Sequence, residues 1–418
     1  MTDLYAEEAI VSELKQIFRP ATPTVDRHLF RGRTSELRQC VGAIQEVGMH
    51  AVIYGERGVG KSSLGNMARD AFVNMHPLNI SVRIACNMDD DFGSIWRKLP
   101  NALRRELDDA PEGLRDDLQP IVDRVDDILE LEEVTPDTVA RAIHLLGRHA
   151  PTLIIIDEFD RIGDWESTKL FPDLIKAASD DPSAATVVLI GVADDVNGLV
   201  QGHASIDRAM RQIAMPRMTH AELAEVVTGG LATLTERTGY EIEMHEDVVD
   251  SITRLSQGFP YYTHLLAGTI IERAVRSGSE KIEPIDVFSA LIQATDAAAQ
   301  SIKASYAAAT DSQQNATYRQ TLLACALSRN DVMGYFRAAD VAPPLAQIAN
   351  APKRQADFNH HLKRFSGAPI YILDVAGKGT KKYRFADPLM KPFVLMTGLR
   401  DGMLEGFGRD DEEDSNLP

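Results

Sequence analysis

The sequence feature that most constrains the fold is a glycine-rich segment, GERGVGKSS, at residues 55–63. It fits the pattern G-x-x-x-x-G-K-[ST], which requires a buried strand before it and a helix after it. The apolar residues 51–54 predict that strand, and residues 61–72 have the pattern of a helix. The segment therefore predicts a phosphate-binding loop in an α/β fold.

The residue types in this loop suit the binding of phosphate. Glycines let backbone N–H groups close around phosphate oxygens, and the helix start directs free N–H groups and a positive dipole end at the anion. Lys61 adds a positive charge at the β- and γ-phosphates, and the Ser62 hydroxyl is suited to Mg²⁺. The predicted nucleotide contacts are Gly55, Glu56, Arg57, Gly58, Val59, Gly60, Lys61, Ser62 and Ser63.

A second motif, LIIIDEFD at residues 153–160, predicts a buried strand that ends in paired acids. We expect Asp157 to hold the same Mg²⁺ as Ser62, directly or through water, and Glu158 to orient the attacking water. Lys61, Asp157 and Glu158 are the predicted catalytic residues of an ATPase, with ATP and Mg²⁺ as cofactors. The alternative is a glycine turn followed by an unrelated acidic strand end.

Length and composition predict a multidomain globular protein. With 418 residues, of which 44% are hydrophobic, the chain can form two or three domains with apolar cores. Its three cysteines, Cys40, Cys86 and Cys325, are isolated, so they predict neither a zinc site nor a disulfide framework. The acidic, amphipathic start and the lack of a long apolar run favour a cytoplasmic protein without a membrane partner.

Charge is distributed unevenly along the chain. The net charge is −18, yet residues 311–400 carry 13 Lys and Arg against 6 Asp and Glu. Such a basic segment is typical of a module that contacts nucleic acid, although a surface that docks onto the acidic remainder of the chain has the same charge pattern. Residues 401–418 are acidic and are expected to form a disordered tail.

Several segments predict helices. Residues 106–137 carry 13 acids and 2 bases with three prolines, which predicts short, solvated helices. Thr135 and Pro136 predict the start of the next helix, because threonine caps helix N-termini and proline fits the first turn. Residues 286–306 predict one alanine-rich helix.

Residues 26–36, DRHLFRGRTSE, resemble the F-x-G-R-x-x-E-L entry segment of AAA+ ATPases of the origin-recognition/Cdc6-like group and the related STAND group. The resemblance implies that Leu29, Phe30, Gly32 and Arg33 lie against the adenine. The alternative is an ordinary lead-in that packs on the core.

The resemblance continues after the acidic strand. Residues 185–192 predict another buried strand, and the family pattern puts Asp194 at the sensor position that contacts the γ-phosphate or its water; a strand-end cap is the alternative. Residues 203–223 resemble the region that supplies an arginine finger, with Arg208 as first choice and Arg211 as second. A finger acting in trans implies a homo-oligomer when ATP is bound. Alternatively, both arginines pair on the surface with acids such as Asp207 or Glu222.

Residues 218–276 resemble the helical lid of these ATPases. The sequence SQGFPYYTHLLAG at residues 256–268 resembles a STAND lid motif, which implies that Pro260 lies near the adenine or the phosphates. The arginine that origin-recognition-type proteins carry in this region is missing. His264 could replace it, or it could be an ordinary core residue.

The basic segment predicts helices followed by a two-stranded ribbon at residues 370–375 and 381–385, which is the winged-helix order. Its end resembles the winged helix of both ATPase groups, which binds DNA in one and packs on the ATPase core in the other. The candidate DNA contacts are Lys353, Arg354, Lys363, Arg364, Lys378, Lys381, Lys382 and Arg384.

These observations predict an α/β protein: an AAA+ P-loop ATPase core at residues 28–216, an N-terminal helical extension before it, a lid at 217–310, and a winged-helix domain at 311–400. We expect an ATP-hydrolysing switch whose winged helix binds double-stranded DNA. The alternative is a STAND-like signalling or defence regulator whose winged helix docks on its own core or on a protein partner. No second catalytic constellation or aromatic pore loop supports a metabolic enzyme or an unfoldase.

Overall fold

A computed structural model describes residues 2–24, 26–181, 183–193, 199, 208–311, 315–331, 334–376 and 381–404. The chain divides into two compact units. The first consists of Pro23–Pro216, and the second combines Met1–Thr22 with Arg217–Pro418. The finer division into core, lid, winged helix and tail stays a prediction. No helix in the described part of the chain is long and apolar enough to span a membrane.

The strands are β1 (His50–Gly55), β2 (Ile80–Ala85), β3 (Thr152–Asp157), β4 (Thr186–Val192), β5 (Met210–Ala214), β6 (Glu243–Met244), β7 (Lys281–Ile282), β8 (Phe336–Arg337), β9 (Leu373–Ala376) and β10 (Lys382–Phe385). The helices are α1 (Thr2–Ile17), α2 (Thr34–Gln45), α3 (Lys61–Val73), α4 (Phe92–Arg97), α5 (Leu99–Asp108), α6 (Glu112–Leu131), α7 (Pro136–His149), α8 (Trp165–Thr168), α9 (Leu170–Ser179), α10 (His220–Thr238), α11 (Glu246–Ser256), α12 (Pro260–Ser277), α13 (Pro284–Ala297), α14 (Gln300–Thr310), α15 (Asn315–Leu327), α16 (Ala338–Ile348), α17 (Gln355–Phe365) and α18 (Met390–Arg400). A 3₁₀ turn covers Phe159–Arg161.

The first unit is built on a five-stranded parallel sheet in the order β2-β3-β4-β1-β5. All six residues of β3 are buried, as expected for an inner strand covered by helices on both faces. Because the strands are parallel, their carboxyl ends meet at one edge: Gly55 pairs with Val192, and Ala85 pairs with Asp157. The predicted α/β fold with a parallel P-loop sheet is confirmed.

Helix α6 differs from the sequence prediction. Residues 106–137 do not form only short helices, because α6 alone spans 20 residues and contains Pro120. Leu118, Val122, Val125 and Leu129 are fully buried and form one apolar stripe at helical spacing. The many acids lie on the other faces of this helix. Their number suggested short, solvated helices, whereas the chain forms one long amphipathic helix. In the second unit, the single helix predicted for residues 286–306 is two helices, α13 and α14.

In the second unit, α1 packs against α10 and α12. Phe18, just after α1, lies where two helix glycines leave room: a Cβ on Gly230 would lie 2.3 Å from the Phe18 ring, and one on Gly268 would lie 3.2 Å from Phe18 Cβ. Ion pairs also join α1 to α12, including Arg276 with Glu8 at 2.8 Å. The N-terminal helix is therefore part of the helical layer formed by α10 and α12.

The last part of the second unit contains α15, α16 and α17 and an antiparallel sheet in the order β8-β10-β9. The hydroxyl of Tyr262 on α12 donates to the carbonyl oxygen of Leu389 at 2.7 Å, which ties this part to the preceding helices. The ribbon β9–β10 lies where the sequence predicts it. The assignment as a winged helix stays a prediction.

Candidate nucleotide site

The phosphate-binding loop connects β1 to α3, as its sequence requires. Gly60 precedes α3 with φ 98°, a left-handed conformation that favours glycine, and no side chain caps the helix. The first N–H groups of a helix have no partner within the helix itself. The start of α3 therefore offers backbone donors and a positive dipole end to an anion.

Gly55 is required by packing as well as by the motif. Its φ is 151°, and a Cβ built on it would lie 2.3 Å from the Met215 carbonyl oxygen. Met215 is held in this place because its N–H donates to the Tyr54 carbonyl oxygen at 2.7 Å. The segment after β5 thus fixes the start of the loop.

The Lys61 side chain lies inside the loop and is only 8% exposed. Its Nζ donates to the carbonyl oxygens of Gly55 at 2.9 Å and Glu56 at 2.7 Å. Burial lowers the pKa of Lys61 to about 8, and the nearby carboxylates of Asp160 and Asp157 oppose this shift. The loop thus holds an ammonium group at the position where the motif requires one for phosphate.

Asp157 ends β3 and is 2% exposed. One of its carboxylate oxygens accepts the backbone N–H of Glu158 at 2.7 Å, and the other pairs with the guanidinium of Arg83 on β2. Arg83 also donates to the amide oxygen of Asn66 at 3.3 Å. A cation from the neighbouring strand therefore occupies the oxygen that the sequence assigns to a metal.

Glu158 has φ 56° and ψ 35°, a left-handed conformation that is uncommon for residues other than glycine. Such conformations cost about 1–3 kcal/mol and cluster at functional sites. The turn places the Glu158 carboxylate at the surface, where it pairs with Arg161 at 2.8 Å. The predicted water-orienting residue is thus held by a cation three residues further along the chain.

Asp160 links two neighbouring strands of the sheet. Its carboxylate accepts the backbone N–H of Val192, at the end of β4, at 2.6 Å. Its negative charge also opposes the lowering of the Lys61 pKa by burial. Asp160 therefore belongs to the charged cluster at the carboxyl edge of the sheet, together with Asp157, Lys61 and Arg83.

The lead-in segment lies against α3. The backbone N–H of Thr24 donates to the Ser63 hydroxyl at 3.1 Å, and Arg27 pairs with Asp70. Phe30, like Leu29, is half-buried. The segment therefore lies beside the loop helix, and an adenine contact for Leu29, Phe30, Gly32 and Arg33 stays a prediction.

Arg33 is a buried cation at the end of this lead-in, and only 3% of it is exposed. Its guanidinium pairs with Glu36 at 2.9 Å and donates to the carbonyl oxygen of Pro216, the last residue of the first unit. A single side chain thus connects the predicted adenine pocket to the end of the unit.

The structure describes the two predicted finger residues but not the predicted sensor residue. Asp194 lies outside the described residues, as does Asp207. Arg208 is exposed just before β5. Arg211 pairs at the surface with Glu46 at 3.5 Å. The role of Arg208 as a finger stays a prediction.

Pro260 and His264 lie in the second unit, on α12. Pro260 is the first residue of that helix, a position where its missing N–H costs nothing. The half-buried imidazole of His264 packs edge-on against the Phe18 ring, 5.9 Å between centroids, and burial lowers its pKa to about 4. A neutral ring packed in this way is typical of a core histidine. The contact of Pro260 with nucleotide stays a prediction.

The candidate DNA contacts fall into two groups. Three are engaged: Lys382 pairs with Asp331 at 2.8 Å, Arg384 lies 3.6 Å from Asp374, and Arg364 stacks on the Tyr318 ring at 5.0 Å. Four form no ion pair among the described residues: Lys353, Arg354, Lys363 and Lys381. Lys378 lies outside the described residues.

The site offers oxygen donors that suit Mg²⁺. Ser62 is in the first turn of α3, and Asp157 ends β3, a strand that α3 contacts. No cluster of three or more His, Cys, Asp or Glu side chains that could hold a metal occurs in the described residues. A P-loop magnesium needs fewer protein ligands, because phosphate and water oxygens complete its octahedron. The oxygen donors of Ser62 and Asp157 therefore fit a magnesium ion bound together with phosphate.

Three residues of this site were not found from the sequence: Arg83, Asp160 and Arg161. Arg83 is the one charged residue in the strand sequence ISVRIA, which is a visible signal. Arg161 stands at the spacing of three that favours pairing with Glu158. Asp160 has no comparable signal, because its partner is a backbone N–H on another strand.

The family model described as Novel STAND NTPase 1 matches residues 21–341. Among solved structures, the chain is similar to the Walker-type ATPase of Pyrococcus abyssi, with 16% identity and a TM-score of 0.51 over 90% of this chain and 99% of that one. It is also similar to the ORC2 protein of Aeropyrum pernix in ADPNP–ADP complexes, with 14% identity and a TM-score of 0.48 over 93% and 97%. No curated protein matches the sequence. At these identities, the first likeness shows the fold, that of a P-loop ATPase.

Proposed function

Since this chain belongs to the Novel STAND NTPase 1 family, we propose that it binds ATP with Mg²⁺, hydrolyses it slowly and acts as a nucleotide-controlled switch. The observation that carries the proposal is the position of Lys61. A buried ammonium group, held by loop carbonyls at the start of an uncapped helix, is suited to a triphosphate and to little else.

The proposed chemistry follows from the residues around this lysine. Lys61 and the N–H groups of α3 bind the β- and γ-phosphates, and Ser62 and Asp157 hold the magnesium ion. When bound, Mg²⁺ neutralises charge that develops on the transferred phosphoryl group. Glu158 orients the attacking water, which requires its carboxylate to leave Arg161.

The switch function rests on a connection between the site and the unit boundary. Arg33 donates to the carbonyl oxygen of Pro216, and Arg217 begins the second unit. A nucleotide that displaces the lead-in would change this bond. Nucleotide binding would in this way change a hydrogen bond at Pro216, the residue at which the first unit ends.

Nucleotide binding tests the proposal. Titration of a fluorescent ATP analogue should saturate at one molecule per chain, and Lys61→Ala should weaken binding by at least about tenfold because it removes a charge-assisted contact. Lys176→Ala, which removes an exposed lysine of α9, is the matched control and should bind like the wild type. Equal affinity of the Lys61→Ala variant would contradict the proposal.

A second candidate function is DNA association through the last part of the chain. It is favoured by Lys353, Arg354, Lys363 and Lys381, which form no ion pair among the described residues. Duplex binding should then weaken steeply with salt, and a variant with Lys363 and Lys381 changed to alanine should show a smaller salt slope. No binding at low salt would favour the alternative, in which this part docks on a protein partner or on the ATPase unit.

Oligomer formation is a further part of the proposal, in which the exposed Arg208 completes the nucleotide site of a neighbouring molecule. Light scattering with and without ATP, and with and without duplex DNA, distinguishes an oligomer from a monomer under each condition. An ATP-dependent increase in mass that Arg208→Ala abolishes supports a finger in trans. A monomer under all four conditions contradicts it.

A further inference from the structure

A cavity of about 390 Å³ opens beside the edge strand β2, and no residue of the phosphate-binding loop lines it. Its volume lies within the range of pockets that hold small ligands. It is lined by Arg83, Ile84 and Ala85 of β2 and by Lys98, Asn101, Ala102 and Arg105 of the adjoining helical segment. Of these lining residues, Arg83 is the one that contacts the nucleotide site, through its ion pair with Asp157.

The lining is strongly cationic. Three of its seven residues are basic, and no carboxylate is among them in the described part of the chain. Lys98 is balanced by Asp90, at 2.5 Å, and it also donates to the Ala85 carbonyl oxygen at 3.1 Å. Arg83 is balanced by Asp157, so the unbalanced positive charge of the lining comes from Arg105.

Arg105 is the cation with the fewest partners. It is exposed, and within the described residues its guanidinium makes one hydrogen bond, from Nε to the Asn101 carbonyl oxygen at 3.2 Å. Its two terminal nitrogens remain able to donate together. A planar guanidinium with two parallel donors matches phosphate geometry better than a point charge does.

Arg83 connects the cavity to the nucleotide site. Its guanidinium pairs with Asp157, whose other carboxylate oxygen already accepts the Glu158 N–H. The Arg83 side chain is 35% exposed, whereas that of Asp157 is 3% exposed. The arginine can therefore move towards solvent and towards the cavity, but the aspartate cannot follow it.

We propose that this cavity binds a small phosphate ester, and that the bound phosphate draws Arg83 away from Asp157 and opens the magnesium position. Arg105 and Arg83 hold the phosphate, and the apolar walls of Ile84 and Ala102 contact the rest of the ligand. The coupling to magnesium rests on the proposed function of Asp157. The binding of the phosphate ester to the cavity does not depend on that function.

The binding experiment uses protein loaded with ADP in the absence of divalent metal, so that the phosphate-binding loop is occupied. Calorimetric titration with ribose 5-phosphate and with AMP should show one binding event, and citrate should bind more weakly than either. Arg105→Ala should weaken binding by at least about tenfold. Arg141→Ala, which removes an exposed arginine of α7, is the control and should bind like the wild type.

Three results would overturn the phosphate site: no binding of either ester, unchanged affinity in Arg105→Ala, or equal binding of citrate. AMP bound much more tightly than ribose 5-phosphate would identify the ligand as a nucleotide. Equal affinities would identify a simpler phosphate ester. A protein that cannot be loaded with ADP contradicts the proposed function instead, and the two failures are thus distinguishable.

The coupling is measured with Mn²⁺ in place of Mg²⁺, by electron paramagnetic resonance of the ADP-loaded protein. Saturating ribose 5-phosphate should tighten Mn²⁺ binding by about fivefold, the effect of losing one partly exposed ion pair. Arg83→Gln should bind Mn²⁺ tightly with or without the ester. Unchanged Mn²⁺ affinity in both the wild type with ester and Arg83→Gln would overturn the coupling.

Discussion

The guanidinium of Arg161 lies 2.8 Å from the carboxylate of Glu158, and this pair holds the predicted water-orienting residue at the surface. Arg161→Ala should release the carboxylate and raise kcat for ATP hydrolysis by up to about fivefold, because exposed ion pairs contribute at most about 1 kcal/mol. Steady-state phosphate release measures this change. Arg161→Lys keeps the charge and is the control, and a fall in kcat in Arg161→Ala would show that the arginine assists hydrolysis instead.

Gly55→Ala should destabilise the first unit. The added methyl group would lie 2.3 Å from the Met215 carbonyl oxygen, and overpacking of this kind costs about 1–3 kcal/mol. Gly113→Ala is the matched control, since a Cβ at that position of α6 meets no atom within 4 Å and the change should be neutral or stabilising by up to about 1 kcal/mol. Urea denaturation compares the two, and equal free energies of unfolding would contradict the close approach.

His50 should make stability depend on pH. Its Nδ1 accepts the Val187 N–H at 2.9 Å, and burial lowers its pKa from 6.5 to about 4. Between these values the folded chain binds fewer protons than the unfolded chain, so the free energy of unfolding falls as the pH falls from 6.5 towards 4. A shift of this size corresponds to about 3 kcal/mol.

His50→Asn tests this assignment, because the asparagine oxygen can accept the same N–H but does not titrate. Urea denaturation at several pH values should give a flatter profile for the variant than for the wild type in this interval. Identical profiles would assign the acid sensitivity to other groups.

Phe18→Ala should loosen α1 from the second unit. The ring is 5% exposed and fills the space above Gly230 and Gly268. Loss of a buried phenylalanine ring costs about 3–5 kcal/mol. Limited proteolysis should therefore cleave the variant before residue 22 at a concentration that leaves the wild type intact, and equal cleavage would show that α1 is not held by this contact.

Local motifs made the loop and the acidic strand predictable from the sequence. The pattern around Lys61 specifies a strand, a turn and a helix within a few residues, and Thr135 caps α7 through the Thr138 N–H at 3.2 Å, as its sequence predicts. These features depend on neighbours along the chain. The α/β class follows from them, since apolar strands alternate with helices.

The contacts across strands were not predictable in the same way. Arg83 reaches Asp157 because β2 and β3 pair in a register that sets Ala85 opposite Asp157, and one sequence does not specify that register. Helix α6 was missed because acids stand between its apolar residues and Pro120 interrupts the pattern, although four of those apolar residues share one face. Arg211 pairs with an acid at the surface, as one alternative from the sequence has it, but the particular partner, Glu46, is far away along the chain and could not be read from it.

In the proposed function, the carboxyl edge of this sheet is an ATPase site in which Glu158 orients water. The most direct test measures, in one sample, bound ATP and released phosphate for the wild type and for Glu158→Gln. The variant should bind one ATP per chain with the affinity of the wild type, while phosphate release falls by about a hundredfold or more. Phosphate release at the wild-type rate from a Glu158→Gln protein with bound ATP would show that Glu158 does not orient the attacking water.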